Sequence, residues 1–229
     1  MVLLAAGRGT RFGGDVPKAF LALRGRTLLE RSLERLAAIP VDGAREIVIA
    51  THPDDAPRLA PLRVRFAALG VTAVVAGGDT RQDSMRNALA ACSPHAHVVL
   101  VHDAARPFFP VEAARQAIAL AHRDGGALLA VPAPDTLKKV DGTRVLATVP
   151  REGVWLAQTP QVARRELLLE AMARAERDGF AGTDDVSLLE RIGASVHVVR
   201  SATTNLKVTT PDDWALAEAI AAREDEARA

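Results

Sequence analysis

The sequence predicts an α/β fold, a sandwich of helices packed around a mostly parallel sheet. Three observations predict it. Short β-branched runs alternate with longer Ala/Leu/Arg stretches, most of those runs are apolar throughout, and the final helix pattern opens on a complete set of start signals. Strands of a parallel sheet are covered on both faces and so read as continuous apolar runs. Their alternation with helices along one chain defines the class.

Taken in order, residues 2–6, 46–51, 71–76, 97–102, 127–131 and 195–200 read as strands. Helix patterns fall at 27–38, 81–92, 110–122, 164–178, 184–192 and 211–223. The last follows Thr210 as a cap, with Pro211 at the first helical position and Asp212 and Asp213 in the first turn. No repeat, linker or low-complexity segment interrupts this order, so residues 1–229 read as one domain, a length that can bury a substantial core. One stretch breaks the rhythm. Residues 136–149 place Asp141-Gly142 between β-prone flanks, which is a hairpin signal. A lone two-stranded hairpin is marginal in water, so it is expected on the sheet or buried by a partner.

Composition excludes several classes. The net charge is +1, so no overall basic field points to nucleic acid or an anionic membrane. Cys92 is the one cysteine, which excludes an internal disulfide framework and a Cys-only zinc site and fits a reducing compartment. The apolar opening runs at once into Gly7-Arg8-Gly9, too short for a signal peptide, and no later apolar run has membrane length. The expectation is a cytoplasmic protein. Only four of the 29 basic residues are lysines: Lys18, Lys138, Lys139 and Lys207. In so arginine-rich a chain, a retained lysine marks a place that needs a compact ammonium rather than a wide guanidinium fork.

Three glycine- or aspartate-bearing turns follow strands, where ligands of open α/β sheets bind. The first, 4–18, carries Ala5, Ala6, Gly7, Arg11 and Lys18. Small residues let the backbone approach a ligand, and such turns point N–H groups at phosphate oxygens. A dinucleotide fingerprint fails here because position 12 is Phe and no ribose-binding acid follows. A P-loop fails for want of Gly-Lys-Ser/Thr, which leaves a nucleoside triphosphate held by a loop ending in Pro17-Lys18, beside the plainer reading of an ordinary βα turn. The second turn, 77–84, holds Gly78, Asp79, Arg81 and Ser84; Asp79 or Thr80 equally suits a helix cap. The third, His102-Asp103-Ala104-Ala105-Arg106-Pro107, puts a carboxylate at a strand end, as a magnesium–phosphate site requires. An Asp103–Arg106 ion pair is the structural alternative. The six histidines show no metal-ligand spacing, and Trp155 and Trp214 read as packing residues.

Together these segments resemble the 2-C-methyl-D-erythritol 4-phosphate cytidylyltransferases of the non-mevalonate isoprenoid pathway. The resemblance covers residues 5–218, with seven motifs in the family's order. They are A-A-G-x-G-x-R-[MF]-G…P-K at 5–18, G-G-x-x-R-x-x-S at 77–84 and V-H-D-A-A-R-P unbroken at 101–107. D-T-x-K follows at 135–138, T-P-Q at 159–161, T-D-D-x-S-L at 183–188 and N-[IL]-K-[IV]-T at 205–209. Leu4, Ala19 and Trp214 depart from the family's usual proline, glutamine and leucine, and none of them removes a charged group.

The resemblance implies a Rossmann-like three-layer sandwich with a protruding hairpin arm. It also implies a reaction of CTP with 2-C-methyl-D-erythritol 4-phosphate, aided by Mg²⁺ or a similar cation, that releases pyrophosphate. By it, Arg11, Lys18, Arg151 and Lys207 are catalytic. Ala5, Ala6, Gly7, Gly78, Asp79 and Ser84 hold the cytidine. Asp103, Arg106, Thr136, Thr159 and Thr183 bind the second substrate or order its pocket, with Asp103 also a candidate metal ligand. It further implies a homodimer whose arms cross between subunits. Two other readings stay open, a ribitol-5-phosphate cytidylyltransferase and a non-catalytic nucleotide-binding protein. The ribitol enzymes tend to read Ala-Gly-Gly where this chain has Ala5-Ala6-Gly7. The length leaves no room for a fused cyclodiphosphate synthase within these residues.

Overall fold

The computed structural model describes residues 1–7 and 16–227. Its strands are β1 (Val2–Ala5), β2 (Ala22–Leu23), β3 (Arg26–Thr27), β4 (Ile47–Thr51), β5 (Val71–Ala76), β6 (Val98–Asp103), β7 (Gly126–Pro132), β8 (Leu137–Asp141), β9 (Arg144–Val149), β10 (Trp155–Arg164) and β11 (Val196–Arg200). The helices are α1 (Leu28–Ala38), α2 (Ala56–Leu59), α3 (Arg63–Ala68), α4 (Arg81–Ala90), α5 (Val111–Asp124), α6 (Arg165–Arg177), α7 (Asp185–Arg191) and α8 (Pro211–Glu226).

Seven strands form one sheet in the order β11-β7-β10-β6-β1-β4-β5. All neighbours pair in parallel except β10, which runs antiparallel to both β6 and β7. Alternate side chains of each strand enter opposite cores. Leu3, Ile47, Ile49 and Leu100 pack under α1 and α5, with Leu29, Leu33, Ala114 and Ala117. Val2, Leu4, Val48 and Val101 pack under α4, α6 and α7, with Met85, Leu89, Met172 and Leu189. That gives three layers, as expected. A smaller cluster of Leu23, Leu28, Phe108, Val208, Ala217 and Ala221 seats α8.

All six sequence-read strands form within a residue or two of their expected ends, and the six helices within three. Four helices start with side-chain caps, at Thr27, Thr80, Asp184 and Thr210. Two regions carry elements that the sequence reading leaves unassigned. Residues 155–164 form the central antiparallel strand β10, although polar residues and Pro160 give them the look of a loop. Residues 53–68 break into short helical turns because Pro53, Pro57 and Pro61 each open a new one. The hairpin forms as β8 and β9, which pair only with each other among the described residues. No described helix is long and apolar enough to cross a membrane.

Candidate active site

The chain lays β1, β4 and β5 outward in turn and then returns to place β6 on the other side of β1. At such a reversal the loops leaving two neighbouring strands diverge and open a crevice at their carboxyl ends. A pocket of about 310 Å³ occupies it, bounded by Leu4–Gly7 from β1, Gly78–Arg81 after β5, Asp103–Ala105 from β6, and Lys18, Lys207 and Thr209. Nine of the expected site residues thus meet here: Ala5, Ala6, Gly7, Lys18, Gly78, Asp79, Ser84, Asp103 and Lys207. Arg11 lies outside the described residues.

Each wall has a local cause. The Gly77 N–H donates to the Thr51 carbonyl at 2.7 Å, which brings the second glycine turn against the β4 end. A Cβ on Gly77 would stand 2.3 Å from Ala6 Cβ, so only glycine permits this approach. The Ser84 hydroxyl accepts the Gly78 N–H at 3.1 Å and donates to the Thr80 carbonyl at 3.0 Å, folding the turn onto α4. Thr80, not Asp79, is the helix cap, and it shares a capping box with Asp83.

Lys207 is delivered by an irregular segment after β11. Buried Asn205 donates to Gln158 Oε1 at 2.8 Å and to the Thr159 carbonyl at 3.0 Å, and the Val208 N–H donates to the Ala105 carbonyl at 2.9 Å. Pinned on both sides, the segment sets Lys207 Nζ 2.7 Å from Asp103 Oδ2. The other carboxylate oxygen, Oδ1, accepts from Arg81 Nε at 3.1 Å. Burial opposes ionisation of Asp103, yet Arg81 and Lys207 outweigh it and hold the carboxyl well below the usual range. The Asp103–Arg106 pair is therefore not formed. Arg106 instead donates from Nη1 to the Asn205 carbonyl at 2.8 Å, because Arg81 and Lys207 already occupy both oxygens of Asp103. Its buried Nε has no partner among the described residues.

The remaining expected residues lie off the pocket. Thr159 is buried behind it, its hydroxyl accepting the Asp103 N–H at 3.1 Å. Thr183 is exposed and precedes Asp184, which caps α7. Thr136 is exposed at the base of the arm, and Arg151 donates to the Pro134 carbonyl and lines a separate pocket of about 840 Å³ with Trp155 and Arg200. Sequence reasoning misses the supporting role of three residues. Arg81 bridges Asp103 and Asp185; Gln161 accepts the Asp185 and Val186 N–H groups at 2.9 and 3.0 Å; His102, wholly buried, links the Thr159 hydroxyl to the Arg106 carbonyl. All three stand inside recognised motifs, which is the only signal they carry.

Among the described residues no three His, Cys, Asp or Glu side chains cluster to cage a metal. A hard divalent ion here would depend on phosphate oxygens and water, with Asp103 or Asp79 as a protein carboxylate of the pocket, which is how Mg²⁺ commonly binds. Each Asp103 oxygen keeps a second lone pair beside its one donor, so the donor set fits such an ion.

The family model described as 2-C-methyl-D-erythritol 4-phosphate cytidylyltransferase matches residues 1–223. The protein of that name from Geotalea uraniireducens (strain Rf4) is 43% identical over 220 residues, covering 94% of this chain and 93% of its own length. That from Deinococcus radiodurans is 45% identical over 222 residues, covering 96% of this chain and 88% of its own. The crystal structure of 2-C-methyl-D-erythritol 4-phosphate cytidylyltransferase from Thermus thermophilus matches with a TM-score of 0.80 at 38% identity, covering 96% of this chain and 97% of that one. The 4-diphosphocytidyl-2C-methyl-D-erythritol synthase of Anaerococcus prevotii DSM 20548 matches at 0.82 and 28% identity, covering 96% and 93%.

Proposed function

Because the chain belongs to the 2-C-methyl-D-erythritol 4-phosphate cytidylyltransferase family and joins CTP to that alcohol phosphate with loss of pyrophosphate, we propose the following division of labour among its residues. A phosphate oxygen of the second substrate attacks the α-phosphorus of CTP in line. Two anions must be brought together, and charge grows on the transferring group. Lys18, Lys207 and Arg11 supply the positive charge aimed at that group, commonly the largest catalytic contribution. Lys207 faces the α-phosphate and places the attacking oxygen. Ala5, Ala6, Gly7, Gly78, Asp79 and Ser84 receive the cytidine. Asp103, Arg106 and Thr183 take the methylerythritol phosphate, and Thr159 orders its pocket. The observation that carries this reading is the meeting of Lys18 and Lys207 in one pocket between two glycine turns.

Mg²⁺ bound to the triphosphate and to Asp103 would neutralise phosphate charge. Asp103→Asn is expected to raise the Mg²⁺ concentration needed for half-maximal rate, and an unchanged titration would remove Asp103 from the metal. The enzyme acts in the cytoplasm, as a homodimer whose 136–149 arms cross, so that Thr136 and Arg151 complete the neighbour's site. Support comes from the arm itself, where Val140, Val145 and Leu146 are 53%, 57% and 50% exposed. Such a hairpin gains little stability alone, and a two-fold exchange would bury those side chains.

Pyrophosphate release measured with each nucleoside triphosphate, against methylerythritol phosphate and ribitol 5-phosphate, tests the substrate assignment. CTP with methylerythritol phosphate should be fastest. A preference for ribitol 5-phosphate would overturn the assignment of the second substrate.

A further inference from the structure

Arg81 is the first residue of α4, directly after the nucleotide turn, yet each of its three guanidinium nitrogens donates to one of two acids from distant elements. Nε donates to Asp103 Oδ1 at 3.1 Å, while Nη1 and Nη2 donate to the two oxygens of Asp185 at 2.9 and 2.8 Å. Asp185 begins α7, two residues after Thr183, and both acids are buried. One planar group therefore ties together the cytidine turn, the β6 end and the turn before α7.

The consequence falls on Lys207. With Oδ1 held by Arg81, the Asp103 carboxylate cannot rotate, and Oδ2 is fixed where it meets Lys207 Nζ at 2.7 Å. Without Arg81, Asp103 Oδ1 would lose its fixed donor beside a second buried carboxylate, Asp185, and repulsion between the two would turn the Asp103 side chain or draw Lys207 away from its place. Either response releases Lys207. A lysine could not replace the fork, since a single ammonium lacks the planar set of donors needed to span both acids. Asp185 pairs with both terminal nitrogens of Arg81, so this arginine is held within the network rather than aimed at the triphosphate. Its value is geometric.

We propose that Arg81 is a positioning residue for the transfer step. It sets Lys207 through Asp103, while Asp185 anchors the outer edge of its guanidinium. The inference rests on the assignment of Lys207 to the α-phosphate, and the test separates the two. In Arg81→Gln, kcat should fall about 100-fold, the loss expected when a group is misplaced by about 1 Å, while the KM for CTP moves little. Arg81→Lys should recover only part of it. The deciding measurement is the same substitution in a Lys207→Gln background. If Arg81 acts through Lys207, the second loss should be less than about threefold, because linked residues do not add. A merely structural arginine would cost the same in both backgrounds, and that result overturns the proposal while leaving Lys207 catalytic. A Lys207→Gln enzyme with unchanged kcat overturns both. If Arg81→Gln does not fold, Asp185→Asn, which keeps the shape of the pair, enters the same cycle with the same expected outcomes.

Discussion

The Thr159 hydroxyl lies 3.0 Å from His102 Nδ1 and accepts the Asp103 N–H at 3.1 Å. On the far side of the ring, His102 Nε2 is 3.0 Å from the Arg106 carbonyl. A carbonyl only accepts, so Nε2 carries the proton, Nδ1 accepts, and the Thr159 hydroxyl must donate inward. Thr159 thus has no proton left for a phosphate, which is why it orders the pocket rather than grips the substrate.

Thr159→Val should therefore strand two buried groups, His102 Nδ1 and the Asp103 N–H. The expected loss of folding stability is about 1–3 kcal/mol for each unsatisfied group. Thr159→Ser keeps both hydrogen bonds and should restore most of the stability and turnover. Urea unfolding of the two variants checks this; equal midpoints for Val and Ser would show that the hydroxyl holds nothing.

The same ring fixes a pH dependence. Complete burial holds the His102 pKa at about 3, against an ordinary 6.5. The unfolded chain binds this proton below about pH 6.5 and the folded chain does not until about pH 3. Stability from His102 is thus fully present above the ordinary value and is lost as pH falls toward the folded one. Asp103, held below the usual carboxylate range, adds a further loss only at lower pH, beneath the ordinary carboxylate value. Unfolding free energies from urea titrations should decline between about pH 6.5 and pH 4, with a slope approaching about 1.4 kcal/mol per unit from this one proton. A His102→Gln variant should show a shallower decline over that interval.

Gly77 carries the closest approach between the two glycine turns. An added Cβ would be 2.3 Å from Ala6 Cβ and 3.0 Å from Ser84 Oγ, and neither contact is the far end of a flexible chain. Gly77→Ala should push the turns apart at a cost of about 1–3 kcal/mol, which is about 5- to 150-fold in the KM for CTP if the strain falls on the nucleotide site. Steady-state kinetics with CTP varied measures it. An unaltered KM would mean the turns need not touch.

The fold was legible where one physical signal dominated. Strands such as Ile47–Thr51 are apolar on both faces because helices cover both, and capped helices announce themselves through Thr27, Thr80 and Thr210. β10 was not legible because its buried polar residues serve other elements. Gln161 holds the start of α7, Gln158 accepts from Asn205, and Thr159 holds His102. A strand whose side chains hydrogen-bond outward loses the apolar pattern by which strands are read. The residues that border the candidate pocket were legible as small residues, lysines and a strand-end carboxylate, all set by local chemistry. Arg81 was visible as a motif residue but its task was not, since its partners stand 22 and 104 positions away.

Arm exchange makes a prediction that no arrangement within one subunit shares. Arg151 donates to the Pro134 carbonyl and lines a different pocket from Lys18, so within one chain the two do not border the same cavity. Lys18→Ala damages the body of a subunit and Arg151→Ala damages its arm, and each homodimer alone should be inactive. When the two are mixed under conditions that let dimers exchange, one site of a mixed dimer receives both lesions and the other receives none. Random pairing makes half the dimers mixed, each with one intact site, so about a quarter of wild-type activity should return. If each arm serves its own subunit, every site in every dimer keeps one lesion and no activity returns. The exchange itself can be verified by native mass spectrometry, so an inactive mixture in which mixed dimers are seen would overturn the crossed arm.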